Sequence, residues 1–173
     1  YPWWLVFLKK QGLWILTQYR VSRWVDQKID IPVFRQILKI FCAIWEKFLE
    51  IITCCEFPNK VAIGKGIFIP HPFGIVIHCD AKIGDYCNLS QNVTIGVGGR
   101  GDKQGCPTIG DRVFIAPGAT IIGKIKIGND VAIGANAVVT KDLPDNAVAA
   151  GVPAKIISYA GSQDFVIYRK VEN

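Results

Sequence analysis

The stretch PTIGDRVFIAPGATIIGKIKIGNDVAIGANAVV, Pro107 to Val139, decides how this chain folds. Ile109, Ile115, Ile121, Ile127, Ile133 and Val139 recur in it at an unbroken period of six, and Val113, Ala119, Ile125, Val131 and Ala137 stand two positions before five of them. A helix of about 3.6 residues per turn cannot keep one face apolar at a strict six. Short strands joined by tight corners can, because residues i and i−2 of a strand point to the same side. Three such hexads close one triangular coil, and stacked coils make a prism with an aliphatic interior.

The same clock runs upstream through Ile77, Ile83, Leu89 and Ile95, with Ala81, Cys87 and Val93 two positions earlier, and before that through Ile63 and Ile69. A glycine often follows the aliphatic, at Gly64, Gly84, Gly96, Gly110, Gly128 and Gly134, and is expected to take corners that other residues find strained. The clock slips twice. Eight positions separate Ile69 from Ile77, within FIPHPFGIVIH (Phe68 to His78), and fourteen separate Ile95 from Ile109, enough for a projecting loop GVGGRGDKQGCP. Insertions of this kind leave a solenoid's stack and make its binding face.

Composition changes abruptly near Glu56. All five tryptophans precede residue 46, and after Cys55 the chain becomes rich in Gly, Ile, Val and Ala. The expected organisation is a helical region over 1–56, a coil stack over 57–160 and a tail over 161–173. The segment IPVFRQILKIFCAIWEKFLEIITCC is long enough to span a bilayer, but Arg35, Lys39, Glu46, Lys47 and Glu50 interrupt it. Arg35, Lys39, Glu46 and Glu50 fall on one helical face, opposite Phe34, Leu38, Phe41, Ile44, Trp45, Phe48 and Leu49, which reads as an amphipathic helix. With a second helix in GLWILTQYRVSRWV it forms a hairpin expected to pack against partner subunits. The opening YPWWLVFLKK, with tryptophan beside a basic pair, leaves open a peripheral membrane contact. The closing SQDFVIYRKVEN carries no motif and reads as a coil-capping strand or a loose tail.

The formal charge of +6 is spread over both halves without a basic run. That argues against nucleic acid and suits a phosphorylated cofactor or an anionic surface. Six cysteines without a CxxC pair suggest reduced thiols in a cytoplasmic protein, with the inner face of the membrane left open as its place. The chain has two histidines, so a three-histidine zinc site would need a cysteine as substitute, and no metal is expected.

The pieces HPFGIVI, AKIGDYCNLSQNVTIGVGG, PTIGDRVFIAPGATIIGKIKIGNDVAIGANAVVTKDLPDN and AGVPAKII, in this order from about Glu56 to Ala160, resemble the hexapeptide-repeat acyltransferases. Within that family the resemblance points to the serine acetyltransferases and the related O-acetyltransferases of colanic acid and capsular polysaccharide synthesis. It implies a mainly β fold, a left-handed parallel β-helix preceded by a short helical region. It also implies a homotrimer with acetyl-CoA in the groove between neighbouring prisms, and leaves open a dimer of trimers through the N-terminal helices.

By the same resemblance His71 matches the catalytic histidine, a base of near-neutral pKa suited to taking a hydroxyl proton. Glu56, fifteen positions earlier, stands where the family usually carries Asp, and would fix the tautomer and stabilise the imidazolium. His78 occupies a corner where relatives carry Gly and reads as a surface residue. Gly98 and Gly99 would flank the pantetheine arm, and backbone groups near Ala116, Gly118, Gly134 and Ala135 the rest of the CoA. Lys141 and Lys155 would stand near its phosphates.

Two acceptor positions depart from the serine acetyltransferases, which place Asp directly before the catalytic His and an Arg-His pair further on. Here those positions are Pro70 and Gly105–Cys106. Burying the two charges of an amino acid without partners is costly, and the polysaccharide-type relatives typically have Pro before the His. The expected acceptor is therefore a hydroxyl of a saccharide or glycan intermediate. Serine is the alternative, and a non-catalytic trimeric scaffold the third reading. Cys106 as an acyl-carrying nucleophile has no base beside it in sequence, so direct transfer is expected.

Overall fold

The computed structural model describes residues 2–166. Helices α1 (Trp3–Lys9), α2 (Gln11–Lys28) and α3 (Pro32–Thr53) come first, followed by short strands wound into three parallel sheets. Face B stacks β1 (Ala62–Ile63), β3 (Lys82–Ile83), β6 (Thr108–Ile109) and β9 (Lys126–Ile127). Face A stacks β2 (Val76–Ile77), β5 (Thr94–Gly96), β8 (Thr120–Ile122) and β11 (Val138–Val139). Face C stacks β4 (Asn88–Leu89), β7 (Phe114–Ile115), β10 (Ala132–Ile133) and β12 (Val148–Ala150), and is closed by the antiparallel β13 (Lys155–Ser158).

Each face is visited once per coil, and the register counts the coil. Val76 pairs with Thr94 and Thr120 with Val138, eighteen positions apart in each case, which is three hexads. The clock residues and those two before them point inward: Ile77, Ile95, Ile115, Ile121 and Ile133 are fully buried with Val93, Val113, Val131 and Cys87. Both expected slips are present as longer coils. Lys82 lies twenty positions after its partner Ala62, and Thr120 twenty-six after Thr94. A third slip escaped the spacing: Leu143 bridges Ile127 from only sixteen positions away, so the last coil is two residues short at Thr140–Asp142.

The glycines after the clock aliphatics do not sit at strained corners. Positive φ falls three residues before the aliphatic instead, at Gly66, Gly74, Tyr86, Asn92, Arg112, Gly118, Asp130, Asn136 and Asn146. Gly64, Gly84, Gly110 and Gly128 are required by close approach: a Cβ on Gly84 would stand 2.3 Å from Asp111 Oδ1 and 2.5 Å from the Gly110 carbonyl oxygen. The space is taken by a ladder of side chains that accept backbone N–H groups from the coil before. Asp85 accepts from Lys65, Asp111 from Asp85, Asn129 from Asp111 and Asp145 from Asn129, at 2.7–2.9 Å.

The helical hairpin closes the open end of the prism. Ile15, Tyr19 and Leu49 join the same buried cluster as Val61 and Ile63. The Tyr19 hydroxyl donates to the Val61 carbonyl at 2.7 Å, and Arg23 donates to the same oxygen at 2.9 Å. Between the helices Lys39 pairs with Asp26 at 2.7 Å. The consequence for α3 is that its mixed polar face turns inward. Cys42 and Leu49 are buried, while Val33, Ile37, Ile40, Phe41, Ile44, Phe48 and Ile51 remain exposed in a continuous stripe. No described helix is long and apolar enough to cross a membrane.

Beyond β13 the chain runs back along the prism. Ser162 donates to the Arg112 carbonyl, Asn88 Nδ2 donates to that of Phe165 at 3.0 Å, and the Phe165 ring stacks on Phe114 with centroids 5.0 Å apart. The tail is therefore docked as far as Val166, and the rest of it lies outside the described residues.

Candidate functional site

The two insertions stand at opposite edges of face A: residues 70–74 at its corner with face C, residues 97–106 at its corner with face B. In the first, the Phe73 N–H donates to the His71 carbonyl at 3.0 Å, and the Phe73 carbonyl accepts from Asn92 at 2.8 Å. Pro72 is buried beneath and His71 points to solvent between two prolines. Gly74 takes φ +64°, and a Cβ there would stand 2.4 Å from Asn92 Oδ1, so only glycine lets the turn lie this close.

The end of α3 is tied to the same turn. Cys54 ends the helix in the left-handed region, its N–H bonded to Glu50. The carbonyl of Thr53 accepts from Gly74 at 3.0 Å. Glu56 then bridges Val76, donating to Ile75 at 2.8 Å and accepting from Ile77 at 3.0 Å, with its side chain exposed. Helix end and inserted turn thus hold Glu56 and His71 on neighbouring backbone segments. Neither carboxylate nor imidazole has a hydrogen-bond partner among the described residues.

At the other corner, Gly98 and Gly105 exchange two backbone hydrogen bonds of 3.0 Å and close the neck of the loop. Gly101–Lys103 make a single 3-10 turn at its tip. Beneath it a groove of about 600 Å³ is lined by Gly99, Asp102, Ile122, Gly123, Lys124, Ile125 and Thr140.

The positions nominated from sequence divide between the two corners. Ala116, Gly118, Gly134 and Ala135 lie at the C–A corner, in the same column as His71 and Pro70, with Gly118 stacked on Asn136. Gly98, Gly99, Cys106 and Lys141 lie at the A–B corner. Lys155 is exposed at the start of β13. On one chain, therefore, Cys106 and His71 do not share a corner.

Sequence reading missed what stands beside Cys106. His78, taken as a plain surface residue, is half-buried, and its Nδ1 lies 3.2 Å from Cys106 Sγ and 3.7 Å from Asp80 Oδ2. The register holds the signal: Thr108 pairs with Lys82, so counting the same twenty-six positions back from Cys106 lands on Asp80. A base is thus adjacent to the thiol where the linear sequence offers none. Even so, partial burial, then Asp80 and Cys79, push the Cys106 thiol up, which keeps it protonated and disfavours a nucleophilic role.

The bacterial transferase hexapeptide (six repeats) family model matches residues 106–141. A serine acetyltransferase of Helicobacter pylori (strain J99) is 35% identical over 155 residues, covering 90% of this chain and 86% of the relative. The chain belongs to the serine acetyltransferase family. A second member, from Synechococcus elongatus, is 34% identical over 156 residues, covering 90% of this chain and 61% of its own length. The solved structure of a serine acetyltransferase in complex with CoA superposes with a TM-score of 0.69 and 28% identity, covering 85% of this chain and 57% of that one. The chain thus spans about three fifths of the longer serine acetyltransferases. The shared fold is the left-handed parallel β-helix of hexapeptide repeats.

Membership corrects the expected acceptor. The relatives matched over nine tenths of this chain are serine acetyltransferases, and none of these findings points to the colanic acid or capsular polysaccharide enzymes, so the saccharide reading is overturned. Its physical premise was also incomplete. Pro70 and Cys106 remove two ionic partners from the linear pattern, but coil stacking supplies a carboxylate and an imidazole, Asp80 and His78, beside Cys106.

Proposed function

We propose that this chain transfers the acetyl group of acetyl-CoA to the hydroxyl of L-serine, the alternative that sequence analysis ranked second. The observation that carries the proposal is the tie between the end of α3 and the inserted turn, which keeps Glu56 and His71 on adjoining segments within a serine acetyltransferase fold. His71 takes the hydroxyl proton as the oxygen attacks the thioester carbonyl. Collapse of the tetrahedral intermediate expels CoA thiolate, which the imidazolium then protonates. Glu56 turns to the second ring nitrogen and stabilises the imidazolium.

The split of the remaining positions favours a homotrimer. Ala116, Gly118, Gly134 and Ala135 at one corner, and Gly98, Gly99 and Lys141 at another, can line a single cofactor groove when the C–A corner of one copy faces the A–B corner of the next. Lys155, at the lower end of the first set, supplies charge to the phosphates. Pro70 from one copy and Cys106 from its neighbour then border the acceptor, with Asp80 and His78 close enough to answer its charges. The exposed stripe on α3 fits a helix-to-helix contact joining two trimers.

The test supplies acetyl-CoA and L-serine as sole acceptor, with CoA release followed as free thiol and the product by mass spectrometry. O-acetyl-L-serine in step with thiol is expected. Thiol release that needs an acceptor other than serine overturns the proposal.

A further inference from the structure

The groups at the A–B corner that border the acceptor in the proposed transfer also make a cluster of metal-ligating atoms. His78 Nδ1 is its focus: Cys106 Sγ lies 3.2 Å away, Asp80 Oδ2 3.7 Å and Cys79 Sγ 3.9 Å. Cys79 Sγ is in turn 3.8 Å from Asp80 Oδ1. The ligand atoms of His78, Cys79 and Asp80 all lie within 4.8 Å of one another. The backbone N–H of Asp80 donates to His78 Nδ1 at 3.3 Å. An N–H can only donate, so Nδ1 is the acceptor, the ring proton sits on Nε2, and an ion at Nδ1 takes the place of this hydrogen bond.

The spacings within His78, Cys79 and Asp80 are near those of a coordination shell, and Cys106, outside that mutually close set, reaches His78 Nδ1. Zinc bonds of about 2.3 Å to sulfur and about 2.0–2.1 Å to nitrogen or oxygen, at tetrahedral angles, put neighbouring donors roughly 3.3–3.8 Å apart. One imidazole, two thiols and a carboxylate are also the mixed soft and borderline set that zinc-class cations prefer over magnesium or calcium. Burial graded from half-buried His78 and Cys79 to exposed Asp80 leaves an entry path from solvent.

We propose that His78, Cys79 and Asp80, joined by Cys106 when its side chain turns from His78 Nδ1 toward the ion, form a binding site for a thiophilic divalent cation of the zinc class. Binding breaks two S–H bonds, forms two metal–sulfur bonds and releases two protons to solvent. The donors come from successive coils, so the metal fastens the end of the 97–106 loop to the corner below it. The site rests on this chain's geometry and stands whatever the acceptor of the acetyl group.

Cobalt(II) is the probe, titrated anaerobically into the reduced chain. One equivalent should give the near-ultraviolet thiolate-to-cobalt charge-transfer band and visible tetrahedral bands, and zinc should abolish both. Cys79→Ser/Cys106→Ser should weaken cobalt binding by more than about 100-fold, beyond the roughly 10–100-fold that loss of a supporting group costs. Cys54→Ser should leave the spectrum unchanged. A second measurement covers a misfolded double variant: zinc should slow alkylation of Cys79 and Cys106 in the unaltered chain and spare the exposed Cys54. Absence of a thiolate band, a band that needs Cys54, or equal alkylation with and without zinc overturns the proposal.

Discussion

Ile121, at the centre of the β-helix, has 0% of its surface exposed, whereas Ile44, in the middle of α3, has 65%. Both are isoleucines in regular structure with aliphatic neighbours, and the difference lies in closure. Each coil turns its inward residues onto those of the coils above and below, so the prism buries its apolar side within one chain. A helix has one apolar stripe and needs a second surface to cover it. Here α2 meets the polar flank of α3, held by the Lys39–Asp26 pair, and the stripe stays exposed. The coils bury their inward residues on one another and need the hairpin only at their open end; the hairpin leaves its own stripe exposed.

The largest effect expected from breaking this contrast is in the prism. Ile121→Ala should lower unfolding free energy by about 2–5 kcal/mol in chemical denaturation, because the coil cannot collapse around the lost volume. Ile44→Ala should change the stability of the isolated chain by no more than about 0.5 kcal/mol and weaken assembly in sedimentation. Equal destabilisation by both, with assembly unchanged, would mean that the α3 stripe is covered by its own chain.

Cys87 sharpens the same point through pH. Burial inside the prism pushes its thiol up to about 12 from 9.0. The unfolded chain loses this proton from about pH 9 while the folded chain keeps it, so the contribution is intact below pH 9 and is lost on going up to pH 12. Its slope is at most about 1.4 kcal/mol per pH unit. Cys87→Ala should flatten the alkaline limb of stability against pH, whatever it does to stability at neutrality.

Smaller again is the contrast between two glycines of the clock. Gly84→Ala drives a methyl into Asp111 and the Gly110 carbonyl and should cost about 1–3 kcal/mol. Gly96→Ala meets nothing nearer than 3.7 Å and should be neutral or stabilise by about 0.4–1 kcal/mol. Thermal unfolding of the two variants side by side checks it. On the hairpin surface, Lys39→Ala should cost about 0.2–1 kcal/mol, less at high salt.

The prism was legible because its rule is short: alternate residues face inward, so a period of six survives in one dimension. Its two longer coils were legible as added residues. The shortened last coil was not, since Leu143 stands among polar loop residues and its aliphatic character alone does not announce a bridge to Ile127. The clock glycines were found, but their cause, the Asp and Asn ladder, needs the neighbouring coil. Amphipathicity located α3 without telling which face meets the chain, because α2 can pack on either. At the candidate site, His71 and Glu56 were nominated through the family resemblance, and the fold sets their backbone segments side by side. His78 beside Cys106 was hidden by the inserted loop between them, and the same gap lent undue weight to Pro70 and Cys106 in choosing an acceptor.

His71 as the base of acetyl transfer is tested most directly by comparing His71→Ala with the unaltered chain in both turnover and CoA binding. With acetyl-CoA and L-serine, turnover should fall by about 10²–10⁴-fold while the CoA dissociation constant from calorimetry stays the same. Turnover within a few-fold of the unaltered chain would contradict the assignment of His71 and with it the proposed chemistry.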